Sequence, residues 1–189
     1  MAPRPRERIL AAATRLFSEE GIHATGVDRV ITEAGVAPMT VYRHFVGKDE
    51  LVTATLERWS EQWLGWLRSE ARGDDARARL EGLWDALEKW FADEGFHGSY
   101  VANVANELRA KPGHPAQATI AAHRAALREL LGELARAAGV LSPADAAVAL
   151  HTLIDGATAV AVIDRQAGAA ASARAMAAAV LAEPALAGR

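Results

Sequence analysis

The stretch ILAAATRLFSEEGIHATGVDRVITEAGVAPMTVYRHFVGKDEL, residues 9–51, decides how the rest of the chain is read. Its apolar residues Ile9, Ala13, Leu16 and Phe17 fall on one face of a helix expected from about residue 4 to Glu20, and Gly21 supplies the stop. A short second helix, expected from about Val27 to Ala34, buries Val30 and Ile31, and Gly35 makes the turn after it. Pro38 opens a third helix ending near Phe45, because proline at the first helical position forfeits no hydrogen bond and already has a helical φ. Gly47 marks the next break, and Asp49 and Glu50 suit the positive end of a fourth helix. Two short helices joined by a tight glycine turn, with a supporting helix before them, make the helix-turn-helix pattern. In that pattern one helix crosses the DNA backbone and the next enters the major groove. An ordinary αα-hairpin satisfies the same local pattern.

Outward from Leu51 the helical periodicity continues. Val52, Leu56, Trp59, Trp63 and Trp66 fall on one side of a long fourth helix, which Gly73, Asp74 and Asp75 separate from a fifth. There Leu80, Leu83, Trp84, Leu87, Trp90 and Phe91 trace an i, i+3, i+4, i+7 stripe. After a break at 95–98, a shorter helix runs through Tyr100, Val101, Val104 and Leu108 to the Lys111, Pro112, Gly113 turn. Ile120, Leu127, Leu130, Leu131 and Leu134 mark a seventh, closed by Gly139. Ser142, ahead of Pro143, is an N-cap signal for an eighth. An Ala-rich ninth follows Gln166 to Ala171 and runs to about Glu183. The expected fold is all-α with about nine helices. Residues 1–50 are expected to form a helix-turn-helix domain and residues 51–189 a larger helical domain.

Composition agrees with this fold class. The 189 residues are 51% hydrophobic and 24% charged with a net charge of −3, an ordinary globular balance. Alanine, the residue that costs least in a helix, occurs 44 times, and no run of strict apolar and polar alternation argues for a sheet. The absence of cysteine excludes disulfides, Cys-ligated zinc and thiol catalysis. No Glu-x-x-His pair falls within an expected helix and no glycine-rich phosphate loop occurs, so no metal, cofactor or catalytic residue is expected. The arginines of the N-terminus precede no uninterrupted apolar run, so no export signal is expected and the chain reads as cytoplasmic. The most membrane-like stretch, residues 146–163, carries Asp155 at its middle. A mid-bilayer carboxylate costs roughly 2.5–3.5 kcal/mol, so this stretch reads as a buried helix and no membrane partner is expected. Charge is divided unevenly. Up to Lys48 there are seven basic residues against five acidic, and beyond it 14 against 19, the sign expected if the front of the chain meets a polyanion.

The run from Arg8 to Leu51 separates a DNA reader from a plain hairpin. Its alanine-rich first helix with Phe17, followed by Gly21, Val27, Ile31, Ala34, Gly35, Val36, Thr40, Tyr42, Phe45, Lys48 and Leu51, resembles the DNA-binding region of the TetR (tetracycline-repressor) family of bacterial transcription regulators. The resemblance covers about a quarter of the chain. It implies a homodimeric repressor bound to a palindromic double-stranded DNA operator, paired through its last two helices and released by a small-molecule effector. Two departures stand out. Gly26 and Ala37 occupy cap positions where the family usually has Ser or Thr, and Asp28, where the family often faces DNA, would be repelled by phosphate and either accepts from a cytosine amino group or serves the helix dipole.

Candidate contacts follow from side-chain chemistry. Tyr42 offers a rigid ring with a hydroxyl donor to a phosphate oxygen, Lys48 offers a charge at a helix start, and His44 offers an imidazole N–H. Packing between helices is the alternative for Tyr42 and His44. Base reading falls to Pro38, Met39, Thr40 and Arg43: Arg43 suits guanine, and the other three suit thymine methyls. Core filling is the alternative for Met39, and a nonspecific phosphate contact for Arg43. Arg4, Arg6 and Arg8 form either an arm against DNA or a solvated tail.

In the larger domain, Trp63, Trp66, Trp84, Trp90, Phe91, Phe96 and Tyr100 either line a small-molecule cavity or fill core. Asn103, Glu107, His123, His151 and Asp155 are candidates for polar groups converging there, with satisfied internal bonds as the alternative. The apolar eighth helix and the Ala-rich ninth suit a four-helix dimer interface, with Ala157, Ala159 and Ala161 permitting close approach. The rival to this reading is an all-helical small-molecule-binding protein or enzyme without DNA function, which would not need Thr40, Tyr42 and Lys48 together.

Overall fold

A computed structural model describes residues 3–165 and 168–182 of the chain. Among the described residues there are nine α-helices and no strand: α1 (Pro5–Glu19), α2 (Val27–Ala34), α3 (Pro38–His44), α4 (Lys48–Glu70), α5 (Ala76–Phe91), α6 (Tyr100–Glu107), α7 (Ala116–Ala137), α8 (Pro143–Ile163) and α9 (Ala169–Ala182). The expected positions of Gln166 and Glu183 around the last helix lie outside the described residues. Gly35 ends α2 in the left-handed conformation, φ 60° and ψ 42°, which glycine adopts without the steric penalty of a Cβ. One local expectation is corrected: the Ser142 side chain makes no cap hydrogen bond. Its backbone (φ −120°, ψ 75°) lies outside the extended region from which a cap side chain reaches the first-turn amides.

The chain divides into two compact units whose boundaries fall inside α4 and α7. The first comprises the residues up to Gln62 together with Tyr100–His123. Ile9, Leu16 and Phe17 of α1, Val30 of α2, Val41 of α3, Leu51 and Leu56 of α4, and Tyr100 and Val104 of α6 make one buried cluster. Each large apolar side chain removed from water in this way contributes roughly 1.5–3 kcal/mol. Polar pairs add direction to this core. The hydroxyls of Tyr100 and Thr55 share a buried hydrogen bond of 2.9 Å, and Ser60 Oγ bonds His123 Nδ1 at 2.9 Å. Burial pushes the Tyr100 phenol above its usual range. His114 is buried and accepts the Ala116 N–H at Nδ1, 3.1 Å, which leaves its Nε2 proton to face Asp49 Oδ1 at 3.3 Å.

The second unit contains α5, α8, α9 and the adjoining parts of α4 and α7. Leu150, Ile154, Ala157 and Ala161 lie on the buried face of α8, and Ala169, Ala170, Ala173 and Ala177 on that of α9. Arg174 of α9 ties this helix to α5 through Glu81, 3.0 Å away, and Asp85. Ala157 and Ala161 therefore do not serve as outward small residues. At i, i+4 spacing they share the inner face with Ile154, while Ala159 is exposed. Among the described residues, α8 is the one helix long and apolar enough to cross a membrane by length and composition. Of the window that meets this test, 44% is buried inside the structure.

Candidate nucleic-acid interface

Helix α3 is built from two opposed faces. Val41 and Phe45, four residues apart, point into the first unit and are 1% and 3% exposed. On the other side Met39 is 70% and Tyr42 52% exposed, Pro38, Arg43 and His44 are exposed, and Thr40 is half-buried. The exposure of Met39 and Tyr42 removes core filling and inter-helix packing as their roles. His44 lies with its ring centroid 6.3 Å from that of Phe45 and stays open to solvent. The start of α3 has no side-chain cap, as Ala37 requires, and Gly26 leaves α2 likewise uncapped.

The charges around this face are arranged unequally. On α1 and α2, Arg15 pairs with Glu19 at 2.8 Å and with Glu33, while Arg29 pairs with Glu20 at 3.2 Å and Glu33 at 3.8 Å. Among the described residues Arg43 and Lys48 have no such acidic partner. The acids next to Lys48 are engaged elsewhere: Glu50 accepts the Val46 N–H at 2.6 Å, and Asp49 meets His114. Lys48 is the first residue of α4, where the helix dipole adds to its charge in favouring an anion.

Arg6 and Arg8 do not form an arm. Pro5 starts α1, so both are helical. Arg8 Nη2 donates to the carbonyl oxygens of Ala34 and Gly35 at 2.6 and 2.7 Å, and the Arg6 guanidinium lies 5.6 Å from the Phe45 ring centre. Glu107 is corrected as well. Its carboxylate accepts the backbone N–H groups of Ile22 and His23 and meets His23 Nδ1, each at 2.8 Å, so it fastens the α1–α2 loop and does not point into a ligand cavity. Partial burial raises its pKa, but the two backbone donors and the His23 ring outweigh that and hold the carboxyl below its usual range. These anchoring roles of Arg8 and Glu107 were invisible in the sequence, because the partners lie 26 and 85 residues away.

The candidate ligand residues separate. In the second unit, Trp63, Trp66, Phe91 and Phe96 gather around Trp90, with ring centroids 5.6, 6.5, 5.6 and 5.0 Å from it. Trp84 is 3% exposed and buried in α5. Tyr100, Asn103, Glu107 and His123 belong to the first unit. Asp155 pairs with Arg124 at 3.0 Å and lies 3.6 Å from buried His151. Burial drives the His151 pKa down, with Arg124 and Arg128 acting in the same sense and Asp155 opposing. Among the described residues no group of three or more His, Asp or Glu is placed to hold a metal ion.

The sequence pattern of the family described as "Bacterial regulatory proteins, tetR family" matches residues 9–55. The HTH-type transcriptional activator FasR of Mycolicibacterium smegmatis is 33% identical over 88 residues, 44% of this chain. The HTH-type transcriptional regulator UidR of Escherichia coli is 34% identical over 68 residues, 36% of this chain. The matched segments span only 40% and 35% of those two relatives. Across the whole fold, SCO4454, a TetR-family transcriptional regulator from Streptomyces coelicolor, superposes with a TM-score of 0.83 at 30% identity, covering 94% of both chains. The pattern in the first helices and the likeness over nearly the full length agree: the chain belongs to the TetR family of transcriptional regulators.

Proposed function

We propose that the chain is a DNA-binding transcriptional repressor that acts as a homodimer in the cytoplasm and is released from its operator by a small molecule. The observation that carries the reading is the outer edge of α3. Met39, Tyr42, Arg43 and His44 stand exposed on a helix pinned from beneath by Val41 and Phe45, next to a Lys48 with no acidic partner among the described residues. Arg43 reads guanine, and Pro38, Met39 and Thr40 meet thymine methyls. Tyr42, His44 and Lys48 grip phosphates.

The DNA-reading part occupies residues 1–50, and residues 51–189 supply the effector and dimer functions. Val148, Thr152, Gly156, Ala159, Val160 and Ile163 make an exposed, largely apolar stripe on α8. It suits a second copy of the chain, which would set two α3 helices about 34–36 Å apart on successive major grooves. The aromatic cluster around Trp90 suits an apolar or aromatic effector. An effector releases DNA only if it prefers the state whose α3 spacing misfits the operator.

Selection of duplexes from a random library by the full-length chain, followed by binding titrations across salt concentrations, tests the reading. The expected result is enrichment of a two-fold symmetric site with affinity that falls linearly in log–log dependence on salt. A chain that enriches no duplex, or binds independently of salt, overturns it.

A further inference from the structure

We propose that Arg8 is a positioning residue for α3: it holds the turn before the reading helix in place and so sets base selectivity without touching DNA. The inference rests on the DNA-binding reading above. A helix ends with carbonyl oxygens that lack intrahelical partners, and a cation at that negative end is favoured by charge and hydrogen bonding alike. At the end of α2 these oxygens belong to Ala34 and Gly35, and one guanidinium nitrogen of Arg8 reaches both. The next residues begin α3, so any drift of Gly35 moves Pro38, Met39 and Thr40. A Cβ at Gly35 would lie 2.9 Å from Arg8 Nη2, so the turn backbone is packed directly onto the guanidinium.

The grip comes from a fixed support. Glu7 accepts the Arg4 N–H at 3.1 Å, Pro5 sets the first helical φ, and Arg58 of α4 donates to the Glu7 carbonyl at 3.1 Å. From the same two turns of α1, Arg6 covers the Phe45 ring that closes α3. The start of α1 thus meets the turn before the reading helix and the residue that closes it. A phosphate contact is the other use for an exposed arginine, and the surroundings oppose it. Arg8 lines an open cleft of about 600 Å³ between α1 and α4 whose walls carry Glu7, Glu57 and Glu61 beside Arg6 and Arg58. Charges that balance in this way do not draw in a polyanion, and the Arg8 nitrogen is already engaged by two carbonyls.

The test uses the full chain with Arg8→Met, which keeps an unbranched stem and removes every donor, and Arg8→Lys, which keeps the charge and can reach one carbonyl. Titrations are made against the duplex enriched by the wild-type chain and against a scrambled duplex, at a temperature where melting curves show all variants folded. Arg8→Met is expected to lose about tenfold affinity for the enriched duplex and to leave scrambled-duplex binding and the salt slope unchanged, with Arg8→Lys intermediate. A role in overall stability alone would not move that ratio. A salt slope lowered by about 0.9 on both duplexes makes Arg8 a phosphate contact and overturns the proposal. Unchanged affinity for both duplexes overturns it too. Amide exchange at Gly35 and Val36 provides a second measure that needs no DNA. Exchange about tenfold faster in Arg8→Met, with the α1 amides unaffected, supports the clamp, and equal exchange sinks it. A wild-type chain that enriches no duplex but passes the exchange test would fail the DNA reading while keeping the clamp.

Discussion

Helices α2 and α3 are neighbours of eight and seven residues, each buried on one face, yet their outer faces treat charge in opposite ways. On α2, Arg29 and Glu33 are drawn into ion pairs with each other, with Glu20 and with Arg15 of α1, so the one cation of this face is satisfied within the chain and Asp28 adds an exposed acid. On α3, Arg43 and His44 sit with Met39 and Tyr42 and no acid, although glutamates are close in sequence on both sides. Under the proposed function, the exposed groups of α3 with no acidic partner among the described residues form the face for an outside polyanion. The α2 face, with its arginine paired and Asp28 exposed, serves as support.

The comparison breaks most completely at the base of α3. Phe45→Ala removes a ring that is 3% exposed and should destabilise the fold by about 3–5 kcal/mol, read from chemical denaturation. DNA binding should fall with it, because α3 would lose its seat. A variant of unchanged stability would show that α3 is held by something other than its buried face.

The fastening of α2 offers the next test. Glu107→Gln should cost about 1.5–3 kcal/mol at neutral pH, since a charged acceptor shared by three donors is replaced by a neutral amide. The carboxyl sits below its usual pKa in the folded chain, so its contribution is present above the ordinary carboxylate range and is lost as the pH falls through the folded value. The gap between wild type and variant should therefore close on acidification. A gap that persists in acid would mean that the charge is not what holds the loop.

On the open face of α3 the effects shift from folding to binding. Arg43→Ala should weaken binding to the enriched duplex by about 1–3 kcal/mol and relax selectivity at one base pair, as measured by competition with single-base variants of the site. Equal weakening on every sequence would demote Arg43 to a phosphate contact. Lys48→Ala should weaken binding to all sequences alike and lower the salt slope by about 0.9. A slope that does not change would remove Lys48 from the interface.

Local signals made the helices and the exposed edge of α3 readable in advance. Gly35 and Pro38 fixed the turn, and side-chain chemistry with the family pattern put Tyr42 and Arg43 forward, while the inward seat of Val41 came from the structure. What stayed hidden depends on contacts distant in sequence. No spacing rule says that Arg8 would reach across 26 residues to close α2, or that Glu107 would spend its carboxylate on Ile22 and His23 and leave no ligand role. The aromatic residues were ambiguous for a related reason. A stripe at helical spacing identifies the buried side of a helix, and only the packed structure shows that Trp66 and Phe96 gather at Trp90 while Trp84 fills core.

The smallest expected effect is the sharpest for the contrast between the two helices. Arg29 stands on α2 with side-chain exposure of 52%, close in chain and charge to the residues assigned to DNA. By composition alone it is as good a phosphate ligand as Lys48. Its guanidinium is already shared between Glu20 and Glu33, and moving it to a phosphate would leave two carboxylates facing a polyanion. Arg29→Ala should therefore change stability by no more than about 0.5 kcal/mol, the usual worth of exposed pairs, and leave the salt slope where it was. Measured beside Lys48→Ala under identical conditions, two cations of one domain would give slope changes of zero and about 0.9. If Arg29→Ala lowers the slope as Lys48→Ala does, its ion pairs yield to DNA, and a pairing seen within the folded chain cannot be used to decide which cations meet the duplex.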